Sequence, residues 1–259
     1  MKRAAVFVAL LLLFSAALLP HAPLVERALA AALAGGGLDV SLAEAGFASP
    51  LSYRIAGLRL TSDEGALDVD EARFGLFGSV TVDLCGGRAD GRWSFGGPWP
   101  VELRGVDPAE CLTIDGLTLA GALSGSLNLR RSPAGASGDA TLAAEAGRIG
   151  GRLPNGGIDI GDWTFDHADV DAVFDGPELD LATASLGSSG FLIEVRDARV
   201  NLAARPTPTL VGQLRTRIDD PTPRARVLSG LLPQTEPTAD GWRRYRVRGP
   251  IAGLVVEPL

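Results

Sequence analysis

Between Leu117 and Leu129 the chain alternates with a period of two, and that rhythm constrains its fold more than any other feature. Leu117, Leu119, Leu123, Leu127 and Leu129 share one parity, with Gly121 and Gly125 in the gaps. Thr118, Ala120, Ala122, Ser124, Ser126 and Asn128 hold the other parity. Successive side chains of a β-strand point to opposite faces, so this segment reads as a strand with one apolar face, bent at Gly121.

The same rhythm recurs along the chain. Val80, Val82 and Leu84 alternate with Thr81 and Asp83; Ala168, Val170, Ala172 and Phe174 alternate with Asp169, Asp171 and Val173. Leu210, Leu214 and Ile218 alternate with Val211, Gln213, Arg215 and Arg217. In 191–204 the apolar parity flips, from Phe191, Ile193 and Val195 to Ala198, Val200 and Leu202. A bulge near Arg196 and Asp197 would keep both halves on one face. A similar flip separates Leu67 and Val69 from Ala72, Phe74 and Leu76. The 33 glycines and 17 prolines fall between apolar runs as turn punctuation. The expectation is a mainly β chain: about a dozen strands in a long, curved antiparallel sheet with one apolar face, preceded by an N-terminal transmembrane helix. Helical turns are expected at 108–112 and 224–232, loops at 133–138 and 205–208, and a turn in the glycine-rich stretch 147–157.

Residues 1–22 form the expected membrane anchor. Lys2 and Arg3 precede an apolar run from Ala4 to Leu19. Sixteen residues span about 24 Å as a helix, against a hydrocarbon core of roughly 30 Å, which is short for an anchor and long for a cleaved signal. No good small-x-small cleavage site follows, and residues 23–36 read as a juxtamembrane helix stopped by Gly35, Gly36 and Gly37. Retention as a single-pass anchor is therefore favoured over cleavage. Lys2 and Arg3 place the N-terminus in the cytoplasm, with residues 37–259 exported as one β domain. In an oxidising compartment the two cysteines, Cys85 and Cys111, are able to pair, and buried free thiols are the alternative.

Candidate chemistry is sparse. A net charge of −7 weighs against nucleic acid as a partner. Asp159, Asp162, Asp166, Asp169, Asp171, Asp175 and Asp180 are dense enough to suggest Ca²⁺, but no EF-hand loop is present and Asp169 and Asp171 share the solvent parity. A solvated face is the better account. His167 has no nucleophile or acid at motif spacing, and 147–157 lacks the Lys-Ser/Thr of a phosphate loop. Arg244, Arg246 and Arg248 share a parity; they suit lipid phosphates or an acidic partner, or simply a charged edge that discourages strand addition. Trp93, Trp99, Trp163 and Trp242 serve equally as core, turn-packing or contact residues. The expectation is a non-enzyme without cofactor or metal.

The order of elements resembles the type II secretion system protein N family. The matching features are the basic-start apolar segment, the Leu24–Leu33 helix, Gly37-Leu38-Asp39-Val40, Glu44-Ala45-Gly46-Phe47 and Leu58-Arg59-Leu60. Leu123-Ser124-Gly125-Ser126-Leu127 follows, and the closing segment runs from Asp240-Gly241-Trp242 to Gly249. More distantly the chain resembles AsmA-like envelope proteins, which pair a membrane helix with a long antiparallel sheet. The resemblance implies an inner-membrane protein facing the periplasm, accessory to a secretion machine and partnered by its other components. The AsmA-like alternative is phospholipid handling.

Overall fold

The structure is a computed structural model that describes residues 21–33, 39–49, 51–62, 65–94, 97–114, 117–132, 135–152, 159–188, 190–204, 208–220, 222, 225, 230, 232–250 and 253–259. The expected anchor, with Lys2 and Arg3, lies outside the described residues apart from His21 and Ala22. These two open helix α1 (His21–Leu33), which therefore starts two residues before the expected juxtamembrane helix. Pro23 falls in its first turn, where a missing N–H costs nothing. The glycines expected to stop the helix lie outside the described residues. No helix among the described residues is long and apolar enough to cross a membrane.

Among the described residues fifteen strands form one antiparallel sheet that does not close on itself. They are β1 (Asp39–Ser49), β2 (Ser52–Ser62), β3 (Gly65–Gly75), β4 (Ser79–Leu84), β5 (Gly87–Arg92), β6 (Trp99–Val106), β7 (Leu112–Ile114) and β8 (Leu117–Ser132). After these come β9 (Gly135–Arg152), β10 (Asp159–Asp175), β11 (Glu178–Ser188), β12 (Phe191–Asn201), β13 (Thr209–Ile218), β14 (Trp242–Pro250) and β15 (Val255–Pro258). Strands pair in chain order except around β7. Each strand's main contacts are with its sheet neighbours, and α1 lies against β1; among the described residues no second layer stacks on the sheet. The rings of His21, Phe47 and Tyr53 meet edge to face at 5.3–5.7 Å between centroids and seat the start of α1.

Two glycine-rich stretches correct the sequence expectations. Residues 135–138 are not a loop: they open β9, with Ser137 opposite Arg130 and Gly138 opposite Leu129. A Cβ at Gly138 would stand 2.0 Å from the Asn128 carbonyl oxygen and 3.1 Å from the Phe174 ring. Likewise 147–152 is the last part of β9 rather than a turn, and 153–158 lies outside the described residues. A Cβ at Gly147 would stand 2.3 Å from the ring of buried Phe165, so glycine makes room for that ring. The expected helical turn at 108–112 is a 3-10 turn at Pro108–Glu110. Asp107 Oδ1 accepts from the amides of Ala109 and Gly121, both at 3.0 Å, and so ties this turn to the bend in β8. Of 224–232, three residues are described: Ala225 and Gly230 are helical, and Leu232 lies in a bend. In the other expected loop, 205–207 lie outside the described residues and β13 begins just after Pro208.

Parity flips keep the apolar side chains on one face. In β12 the flip is a bulge: the register against β13 shifts between Arg196 and Arg199, and Asp197 takes φ 46°. At the flip in β1–β3 no extra residue is inserted. Leu42–Leu58–Val69 form one cross-strand row and Ala45–Ile55–Ala72 form another, on opposite parities of each strand. Between them Gly57 adopts φ 61°, which a side chain resists. In β9, Ala146 at φ 59° does the same where the register against β8 shifts.

β7 gives the sheet a wedge. At one end of β3 and β8, β7 alone bridges the two strands; at the other end β4, β5 and β6 fill the gap. Two additional strands splay the sheet by roughly 10 Å. The wedge holds the hydrophobic cluster of Cys85, Val106 and Cys111, against which Leu67, Leu84, Leu103, Leu112 and Leu123 pack.

Candidate functional site

On the apolar face beside the wedge lies a groove of about 170 Å³. It is lined by Val80 and Val82 of β4, Ala89 of β5, Val101 and Trp99 of β6, and Trp93. Cross-strand registration puts them side by side: Val82 pairs with Ala89, and Val80 with Gly91, which faces Val101. Small residues on β5 leave the depression that the two tryptophans border. Trp99 Nε1 donates to the Ser94 carbonyl at 2.8 Å, while Trp93 remains 42% exposed. Small-molecule pockets enclose roughly 300–1,000 Å³, so the groove suits an apolar side chain or a short stretch of alkyl chain better than a whole ligand.

Cys85 and Cys111 are joined as a disulfide, with their Cα atoms 4.7 Å apart. It fastens the β4–β5 turn to the segment that starts β7. Two backbone bonds flank it: the Asp107 amide donates to the Cys85 carbonyl and the Asp68 amide to the Cys111 carbonyl, each at 3.0 Å.

The opposite face is polar. Across β10–β14 one row reads Asp169, Ser185, Glu194, Arg215, Arg244, and the next reads Asp171, Thr183, Arg196, Gln213, Arg246. Glu194 is the buried member, at 7% exposure. Burial pushes its carboxyl up, but hydrogen bonds from Arg196 and Arg215 outweigh this and hold it below the usual carboxylate range. Arg215 also lies 4.2 Å over the Trp242 ring, and Arg217 lies 5.1 Å from it. On the N-terminal strands, Arg54 and then Arg73 hold Glu71 below the usual range in the same way.

The residues singled out from the sequence are scattered rather than gathered. The aspartates are strung along β10 and into β11, and among the described residues no three His, Cys, Asp or Glu side chains are placed to hold a metal ion. The ring of His167 lies over Gly187, whose Cβ would stand 1.9 Å from it. Arg244, Arg246 and Arg248 are exposed on β14, with Arg248 paired to Glu257 at 2.6 Å. Trp242 is buried under arginines, and Trp163 meets Phe191 edge to face at 5.9 Å. Sequence reasoning missed the Trp93–Trp99 groove and the Glu194 cluster. The only signal for Glu194 was its i, i+2 spacing to Arg196 on a strand.

Compared with known proteins, the chain matches no family model, no curated protein and no solved structure.

Proposed function

We propose that this chain is an inner-membrane-anchored periplasmic accessory or assembly component of a type II protein secretion system. In this reading residues 1–22 tether the chain, Lys2 and Arg3 stay in the cytoplasm, and the sheet reaches into the periplasm to bind other secretion components. The observation that carries it is a long antiparallel sheet whose apolar face has no layer of this chain's described elements on it. Such a face gains free energy by meeting another surface, at roughly 25 cal/mol per Å² of apolar area covered. The order of motifs resembling the protein N family supplies the partner class. The test is photo-crosslinking in intact cells from a probe at Trp93 or Val101, with export of a secreted enzyme followed in a deletion strain. Capture of a secretion component together with impaired export is the expected result. No such adduct, and export at the parental level, overturns the proposal.

The groove favours a second reading, local lipid holding of the AsmA-like kind. Native mass spectrometry of the purified chain distinguishes it: bound phospholipid lost on Val101→Asp substitution supports it, and bare protein removes it.

A further inference from the structure

The polar face of β10–β14 carries a charge gradient. Carboxylates lie on β10 and β11, and guanidinium groups on β12, β13 and β14. Intramolecular pairing uses only part of this set: Glu194 takes Arg196 and Arg215, Asp180 takes Arg199 at 2.7 Å, and Glu257 takes Arg248. Among the described residues no ion pair involves Asp169, Asp171, Arg244 or Arg246, all four of which are exposed. Arg215 also stands directly across from Arg244; Glu194 compensates Arg215 at 2.5 Å, and Asp240 acts on both guanidinium groups electrostatically.

We propose that this face docks on the same face of a second copy of the chain, through a two-fold axis running along β12. Rotation about that axis lays β10 of one copy over β14 of the other at the same row. Asp169 then meets the second copy's Arg244, and Asp171 its Arg246. The unpaired charges of the monomer are the ones brought together. A two-fold at right angles would instead lay β10 on β10 and β14 on β14, like charge on like charge. The axis along β12 lays Glu194 on Glu194 and Arg196 on Arg196, but these are already paired within each copy, so the charge pattern favours it. Five strands about 4.8 Å apart and roughly ten residues long present about 800 Å² per copy, the size of a standard specific interface. The apolar face remains free for the role proposed above.

The test is sedimentation velocity of the full chain in density-matched detergent. Dimers at roughly 50 mM salt that dissociate at roughly 500 mM are expected, because exposed charge pairs are screened. Asp169→Arg with Asp171→Arg, and separately Arg244→Asp with Arg246→Asp, should each weaken self-association by at least about tenfold. Circular dichroism checks that each variant retains the sheet. Mixing the two variants restores complementary charge on both sides of the axis, so a mixed dimer should reappear. A wild-type chain that stays monomeric in low salt at high micromolar concentration overturns the proposal, as do folded variants that fail to associate when mixed. Monomers that float with phosphatidylglycerol vesicles through Arg244 and Arg246 also overturn it, and assign the face to lipid.

Discussion

Removing the Cys85–Cys111 bridge should be the most costly single perturbation of the wedge. The bridge spans 26 residues, and on the chain-entropy account closing such a loop removes denatured-state freedom worth roughly 3.5 kcal/mol. Little else fastens β7: it makes three residue pairs with β3 and one with β8. For a chain of this size each kcal/mol moves the melting temperature by about 2–4 °C, so Cys85→Ala with Cys111→Ala should melt roughly 7–14 °C lower. Scanning fluorimetry with and without reductant provides the assay. Reductant should lower the wild-type melting temperature and leave the double variant unchanged. Hydrogen exchange adds a local readout: the amides of Asp68 and Asp107, which donate to the bridged cysteines' carbonyls, should lose protection before the rest of the sheet. A double variant melting within about 2 °C of wild type, with those amides still protected, would refute the claim that the bridge holds the wedge together.

Other outcomes follow from single side chains. Glu194→Gln removes charge-assisted hydrogen bonds to Arg196 and Arg215 and should cost about 2 kcal/mol in urea unfolding. Because the folded carboxyl titrates below its unfolded value, its contribution is full above the ordinary carboxylate range. It is lost as pH falls through the lowered folded value, so urea midpoints between neutral and acid pH should fall less steeply in Glu194→Gln than in wild type. Gly57→Ala meets both a φ of 61° and the Ala43 Cβ at 2.9 Å, and should destabilise by about 1–2 kcal/mol; an unchanged midpoint would sink the account of the flip in β1–β3. Brominated detergent should quench Trp93 fluorescence far more than that of buried Trp242, read by comparing Trp93→Phe with Trp242→Phe; equal quenching would deny that the groove is open to apolar chains.

Strands whose apolar residues alternate cleanly were legible in the sequence, and so was the bulge at Asp197, since a parity flip within one apolar run leaves few other ways to keep a single face. β5 was not, because its apolar-face positions are Ala89 and Gly91, too small to register as a pattern. β7 is only three residues long and shows no period. The glycines of β9 carry the composition of a loop, yet the aromatic rings of Phe165 and Phe174 occupy the space they leave. Glu194 and the Trp93–Trp99 groove depend on which residues stand opposite each other across strands. That register is set by turns and bulges far along the chain, so no local window reveals it.

The order in which strands pair bears on how such a chain reaches its final form. Nearly every hydrogen-bonded ladder joins segments adjacent in sequence, which is the low-separation wiring that lets folding advance stepwise. Hairpins can zip on one after another, without waiting for the C-terminus. The exception is the short strand slotted beside β3, which must find a partner more than forty residues behind it. Its late arrival, locked by oxidation, makes formation of the Cys85–Cys111 bridge a natural checkpoint on maturation.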